Sequence, residues 1–289
     1  MKVQTRPKAR RRSVASPFRA IRQSASTLEH DLDLARQVQE SLFPSEIPAL
    51  AGLQVAALNR AARIVSGDFY DIIGVDDDRM VVVCADVSGK GIAAALLAAQ
   101  VQSYFRAMLQ AAAVVRSVLE TSSVSSDVFR ALGSLPLLVV SQLNATVCRH
   151  TRLPGRYATL FFAEVDARSG VVRYVNAGHN PPLVLRPGVP VELLSAGGPP
   201  VGLLADAAYE AGTAILPPGG TLLVYTDGAI EARDGRDEEF GLPRLIELCT
   251  SANGDVSQLL PRILDAVETW SASPEPSDDI TLVAMGRDG

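Results

Sequence analysis

A chain of 289 residues with 47% apolar side chains can bury a substantial core, as one large domain or two small ones, and is not a disordered polymer. Its net charge of −5 excludes a broadly basic nucleic-acid-binding body, so no nucleic acid substrate is expected. Its three scattered cysteines, Cys84, Cys148 and Cys249, exclude a zinc site or a disulfide framework and suit a reducing cytoplasm.

Lys2, Arg6, Lys8, Arg10, Arg11, Arg12, Arg19 and Arg22 precede the first acid, Glu29, and without these eight cations the remainder carries −13. Residues 1–23 therefore read as a basic, disordered tail that either keeps the chain solvated or touches an anionic surface. The N-terminus lacks the continuous apolar stretch of a signal peptide. The longest apolar helical run, 92–101, is too short to span a bilayer, so no transmembrane segment is expected.

Within 24–44, Ser26-Thr27-Leu28-Glu29 has the form of a capping box, and Leu28, Leu32, Ala35, Val38 and Leu42 recur at helical spacing. A helix over 26–43 is predicted, stopped by Pro44. It either packs on its own domain or is a short dimerisation or regulatory helix of coiled-coil type.

From Gly52 onward, short β-branched runs alternate with turn residues. Strands are predicted over 53–58, 80–85, 160–165, 171–175, 222–225 and 280–285. Asp76-Asp77-Asp78-Arg79 falls between strands and reads as a solvated hairpin turn, outside any site. Helices are predicted over 91–113, 242–249 and 256–270. The segment 114–135 mixes serines with weak periodicity and reads as an insertion or a helix pair. Strands in hairpins, helices between them and a closing strand give an α+β class, with antiparallel sheets covered by helices.

Four aspartates stand where apolar runs end at glycines or polar turns: Asp68 in Val65-Ser66-Gly67-Asp68-Phe69-Tyr70-Asp71, Asp86 in Cys84-Ala85-Asp86-Val87-Ser88-Gly89-Lys90-Gly91, Asp227 in Tyr225-Thr226-Asp227-Gly228, and Asp278 in Ser277-Asp278-Asp279-Ile280-Thr281. Carboxylates at strand ends are hard oxygen donors, and their charge would be matched by about two Mg²⁺ or Mn²⁺ ions. A carboxylate bridging two ions lowers the pKa of the water between them, so hydroxide becomes a nucleophile without a histidine base. None of the three histidines demands such a role: His30 lies in the first helix, His150 in a polar loop, and His179 in the turn Asn176-Ala177-Gly178-His179-Asn180-Pro181-Pro182, where a turn-stabilising hydrogen bond is expected. There is no GxSxG elbow, and Ser88-Gly89-Lys90-Gly91 lacks the spacing of a P-loop.

These five segments, with Ala158-Thr159-Leu160-Phe161, occur in an order that closely resembles the SpoIIE-type (stage II sporulation E-like) branch of the metal-dependent, type 2C protein serine/threonine phosphatases. The likeness covers about 50–289. It implies an αββα sandwich of two antiparallel sheets flanked by helices, with an N-terminal linker helix at 24–44 and a phosphatase domain at 45–289. It also implies a centre of two Mn²⁺ or Mg²⁺ ions. Carried over by motif, Asp86 would bridge the ions and the backbone carbonyl of Val87 would join one. Asp227 and Asp278 would hold the other, and Asp68 would contact the centre directly or through water. Asp279 is the second choice of ligand. The catalytic assignment falls on Asp86 and Asp227, holding the hydroxide.

The resemblance further implies hydrolysis of phosphoserine or phosphothreonine on an anti-sigma-factor antagonist, with the 26–43 helix contacting a regulator or a second copy. Two departures stand out. Val87-Ser88 replaces the histidine that eukaryotic relatives carry after the bridging aspartate, and no phosphate-clamping arginine is unambiguous; Arg63 and Lys90 are the candidates. No sensory domain is recognisable, so input is expected from a partner, dimerisation or expression level. Two other functions fit the same residues: a catalytically silent module that sequesters a regulator, and a hydrolase of small phosphate esters.

Overall fold

The computed structural model describes residues 17–121, 134–151, 155–251, 255–273 and 276–289. Its elements run α1 (Pro17–Glu40), β1 (Leu53–Arg60), β2 (Asp68–Gly74), β3 (Arg79–Val87), α2 (Ile92–Thr121), α3 (Leu135–His150), β4 (Ala158–Asp166), β5 (Val171–Ala177), β6 (Leu183–Arg186), β7 (Val189–Leu193), β8 (Gly197–Gly198), β9 (Gly212–Ile215), β10 (Thr221–Tyr225), α4 (Gly228–Glu231), α5 (Gly241–Ser251), α6 (Val256–Trp270) and β11 (Ile280–Arg287). The first sheet has the order β1-β11-β10-β6-β7. The second has the order β2-β3-β4-β5-β8, with β9 also on β5.

Strand β3 shows why two sheets form. Its side chains alternate between faces, and nearly all are buried, so neither face can meet water. Val81, Val83, Ala85 and Val87 join a core with α2 and α3, whereas Met80, Val82 and Cys84 join the core between the sheets. On α2, Ala94, Leu97, Ala98, Val101 and Phe105 recur at helical spacing and face β3 and β4. Phe105 meets Phe162 edge-on, ring centroids 5.0 Å apart. Helices α5 and α6 cover the outer face of the first sheet through Leu245, Leu259, Leu260 and Ile263, packed on Leu223, Leu282 and Ala284. The layers are therefore helix, sheet, sheet, helix, the expected αββα sandwich. One short pairing departs from it: β8 runs parallel to β5.

Several expectations change in detail. Helix α1 begins at Pro17, ahead of Ser26, and ends at Glu40; the tail up to residue 16 lies outside the described residues. Helix α2 reaches Thr121, and by length and composition its stretch Ile92–Val115 is long and apolar enough to cross a membrane, which corrects the shorter run expected from sequence. Its buried stripe instead lies on the second sheet. Of the 114–135 segment, 122–133 fall outside the described residues. Helix α3, which the sequence reading did not anticipate, is capped by Ser134, whose Oγ accepts from the Leu137 N–H at 3.4 Å. His150 is its last residue and does not lie in a loop.

The end of α1 is tied down. Phe43 stacks near Tyr70 at 5.0 Å, the Leu42 carbonyl accepts from Gln102 and Arg106, and Arg106 pairs with buried Asp71 at 2.6 Å. Leu28, Leu34 and Val38, earlier along the helix, are exposed.

Candidate metal centre

The register of the second sheet places Asp68, the first residue of β2, directly opposite Asp86 near the end of β3. On the first sheet, β10 and β11 run antiparallel, so the residues just after Tyr225 and just before Ile280 leave the sheet together. Asp227, Asp278 and Asp279 thus emerge at the edge where Asp68 and Asp86 stand. Gly228 permits this closeness, because a Cβ there would lie 2.2 Å from the Asp279 carbonyl oxygen.

Asp68 is buried and crosses between the sheets. Its Oδ2 accepts from Thr226 Oγ1 and from Thr281 Oγ1, both at 2.8 Å, and its N–H donates to Ser66 Oγ. Burial pushes its pKa well up, Asp86 and Asp279 push it further, and the two threonine hydroxyls oppose them. Asp86 is raised to about 7, first by burial and then by repulsion from Asp227, Asp278 and Asp279; a hydrogen bond from Asp68 lowers it. Asp227 is raised to about 6 by burial, Glu231 and Asp278, against the Gly228 N–H and Lys90. Carboxylates that raise one another in this way repel mutually, and a divalent cation relieves that repulsion.

Asp278 and Asp279, adjacent in sequence, have different surroundings. Asp279 Oδ1 accepts from the Ala62 N–H at 2.7 Å and Oδ2 from the Gly67 N–H at 2.6 Å, so both oxygens hold the loop between β1 and β2. Asp278 Oδ1 accepts from the Asp279 N–H at 3.0 Å, and Oδ2 lies 2.8 Å from Lys90 Nζ, which also donates to the Ser277 carbonyl. Asp279 is thus held by two backbone N–H groups, and Asp278 by one N–H and an ammonium. Val87 ends β3 beside Gly67, its carbonyl 3.2 Å from where a Gly67 Cβ would stand.

Arg63 is exposed on the loop that Asp279 holds, and it forms no hydrogen bond or ion pair with the described residues. Its Nη1 is 3.9 Å from where a Cβ on Gly91 would be, which brings it beside the Lys90 loop. That loop is braced from the other side by Arg156, which donates to the Ser88 carbonyl and packs where any Gly89 side chain would be.

The donor set suits a hard divalent cation, yet among the described residues no three acidic, histidine or cysteine side chains are arranged to hold a metal ion as they stand. The aspartates converge without forming a closed cage. The sequence reading also passed over the residues that support them: Thr226, Thr281, Ser66, Asn59, which donates to Thr281 Oγ1 at 2.8 Å, and Gln39 of α1, whose amide exchanges hydrogen bonds with the Ser66 backbone. Hydroxyl residues inside three of the aspartate motifs, Ser66, Thr226 and Thr281, were the available signal.

His179 is buried where the two sheets meet. Its Nδ1 lies 2.9 Å from Thr159 Oγ1, and its N–H donates to Asn176 Oδ1 at 2.7 Å. Nε2 has no hydrogen-bond partner among the described residues, and burial, opposed by the Tyr225 backbone, pushes the ring pKa down to about 4.

The sandwich with an acidic cluster at one edge is the architecture of type 2C protein phosphatase domains. The SiaA-PP2C domain of Pseudomonas aeruginosa superposes with a TM-score of 0.74 at 18% identity, covering 92% of this chain and 99% of that domain. Residues 76–288 match the family model of stage II sporulation protein E (SpoIIE), and the chain belongs to that family. Protein IcfG of Synechocystis sp. is 30% identical over 89% of this chain and 41% of its own length. Phosphoserine phosphatase RsbU of Bacillus subtilis is 25% identical over 90% of this chain and 71% of its own. The chain thus spans less than half of IcfG.

Proposed function

We propose that the chain is a divalent-metal-dependent phosphatase of phosphoserine or phosphothreonine in a protein, an anti-sigma-factor antagonist of a partner-switching pathway. The observation that carries this reading is the convergence of Asp68, Asp86, Asp227 and Asp278 from both sheets at one edge, each raising or facing another. Membership of a serine phosphatase family supports it.

Asp86, Asp227, Asp278 and the Val87 carbonyl would hold two Mn²⁺ or Mg²⁺ ions, with Asp68 contacting the centre from its buried position. When bound, such ions supply Lewis acidity that lowers the pKa of water and neutralises phosphate charge. The chain's own residues do the rest. Thr226 and Thr281 orient the Asp68 carboxyl, Asp279 holds the loop bearing Arg63, and the exposed Arg63 guanidinium would donate to a substrate phosphate in a two-pronged contact. We place the protein in the cytoplasm, in keeping with its free thiols, and assign the exposed face of α1 to a regulator or a second copy.

Phosphate release from a phosphorylated antagonist protein in the presence of Mn²⁺ tests the reading. Release that Asp86→Asn and Asp227→Asn both abolish supports it; full activity in both variants overturns it. One observation favours the second reading, a silent module that sequesters its regulator: the acidic groups do not form a closed cage. Tight binding of the antagonist with no metal requirement and no phosphate release would select that reading.

A further inference from the structure

We propose that Lys90 is a built-in competitor for the metal centre: its ammonium occupies the oxygen of Asp278 that a divalent cation needs, and so sets the cation concentration at which the centre assembles. The inference rests on the metal-centre reading above. Asp278 has two oxygens, and Oδ1 already accepts the Asp279 N–H at 3.0 Å. Oδ2 accepts no backbone N–H from the described residues and is the oxygen more open to a cation, and Lys90 Nζ stands 2.8 Å from it. The ammonium is further fixed by donating to the Ser277 carbonyl at 2.8 Å, and its field reaches Asp227, whose pKa it lowers.

Lys90 thus touches one proposed ligand and acts on a second. An ammonium and a divalent cation on the same carboxylate oxygen repel each other, so each weakens the binding of the other. The half-exposed side chain can swing into solvent while the loop stays in place. Lys90 sits between Gly89 at φ +97° and Gly91 at φ +74°, conformations open to glycine at little cost, and its side chain is half-exposed.

The test is Mn²⁺ binding by calorimetry to the metal-free full chain, with wild type, Lys90→Met and Lys90→Arg compared. Because exposed ion pairs are modest, removing the competitor should tighten Mn²⁺ binding by about two- to fivefold, whereas Lys90→Arg, which keeps the charge, should stay near wild type. A Mg²⁺ titration followed by NMR should move the Lys90 Nζ signal with the same midpoint as binding. A lysine that merely braces the loop predicts equal or weaker Mn²⁺ affinity in Lys90→Met, and that result overturns the inference while leaving the metal centre intact. If wild type and both variants take up no Mn²⁺, the metal-centre reading fails first and the Lys90 inference with it.

Discussion

Asp68 Oδ2 and Thr281 Oγ1 lie 2.8 Å apart although 213 residues separate them, and this contact joins the two sheets at the edge where the aspartates gather. Asp68 belongs to β2 of the second sheet and Thr281 to β11 of the first, so the hydroxyl fixes where one proposed ligand stands relative to the strand that delivers Asp278. Thr281 Oγ1 also accepts from Asn59 Nδ2 of β1. The site is thus braced by a chain of polar contacts that links both sheets.

Thr281→Val keeps the shape and removes the hydroxyl, leaving buried Asp68 short of a donor and Asn59 short of an acceptor. Urea unfolding should show a loss of about 1–3 kcal/mol. Thr281→Ser keeps the hydroxyl and should lose clearly less. Equal losses in both variants would mean that the methyl group, not the hydrogen bond, matters.

His179 gives a pH dependence with a definite sign. The unfolded ring titrates near 6.5, and burial lowers the folded value to about 4. Between those values the unfolded chain binds the extra proton. The contribution of the neutral ring is therefore complete above about pH 6.5 and is lost as pH falls towards 4, on the order of 3 kcal/mol by linkage. NMR titration should find the imidazole still neutral at pH 5. Unfolding of wild type should be steeper in pH across this window than that of His179→Gln. A ring that titrates near 6.5 in the folded protein would contradict its burial.

How much of this was legible in the sequence depends on how local each cause is. Helix α6 and strands β3, β4 and β11 follow from periodicity within the segment, and the sequence reading located all of them. Helix α3 was missed because Leu137, Leu138, Val139 and Val140 form a run that reads equally as a strand, and only the Ser134 cap with Pro136 behind it signals a helix start. The β5–β8 pairing could not be read at all. It depends on Gly197 approaching Asn176 so closely that a Cβ would stand 1.8 Å from the Asn176 carbonyl oxygen. The aspartate motifs were legible because glycine-bounded carboxylates at strand ends are uncommon, but their long-range partners Thr226 and Thr281 were not. Which of Asp278 and Asp279 faces the cluster depends on two loop N–H groups far away in sequence.

Gly228 tests whether the spacing of strand ends matters. A Cβ at this position would stand 2.2 Å from the Asp279 carbonyl oxygen, a backbone atom of the residue that follows Asp278. Gly228→Ala should destabilise by about 1–3 kcal/mol and weaken Mn²⁺ uptake measured by calorimetry. Gly235→Ala, with nothing within 4 Å of the added carbon, is the control and should do neither.

Asp278 and Asp279 should separate cleanly under the same substitution. Asp279→Asn exchanges one of two acceptor oxygens for a donor, so either the Ala62 or the Gly67 N–H loses its partner; unfolding should show a loss of about 1–3 kcal/mol. Asp278→Asn removes a partly exposed charge whose ion pair with Lys90 contributes at most about 1 kcal/mol, so its stability should stay near wild type. Mn²⁺ affinity should respond in the opposite order, falling steeply for Asp278→Asn and only modestly for Asp279→Asn, where the loop loosens but the proposed ligands remain. Denaturation of the metal-free protein paired with Mn²⁺ calorimetry measures both quantities on the same samples. If Asp279→Asn abolished Mn²⁺ binding while leaving metal-free stability untouched, the two aspartates would have to exchange roles.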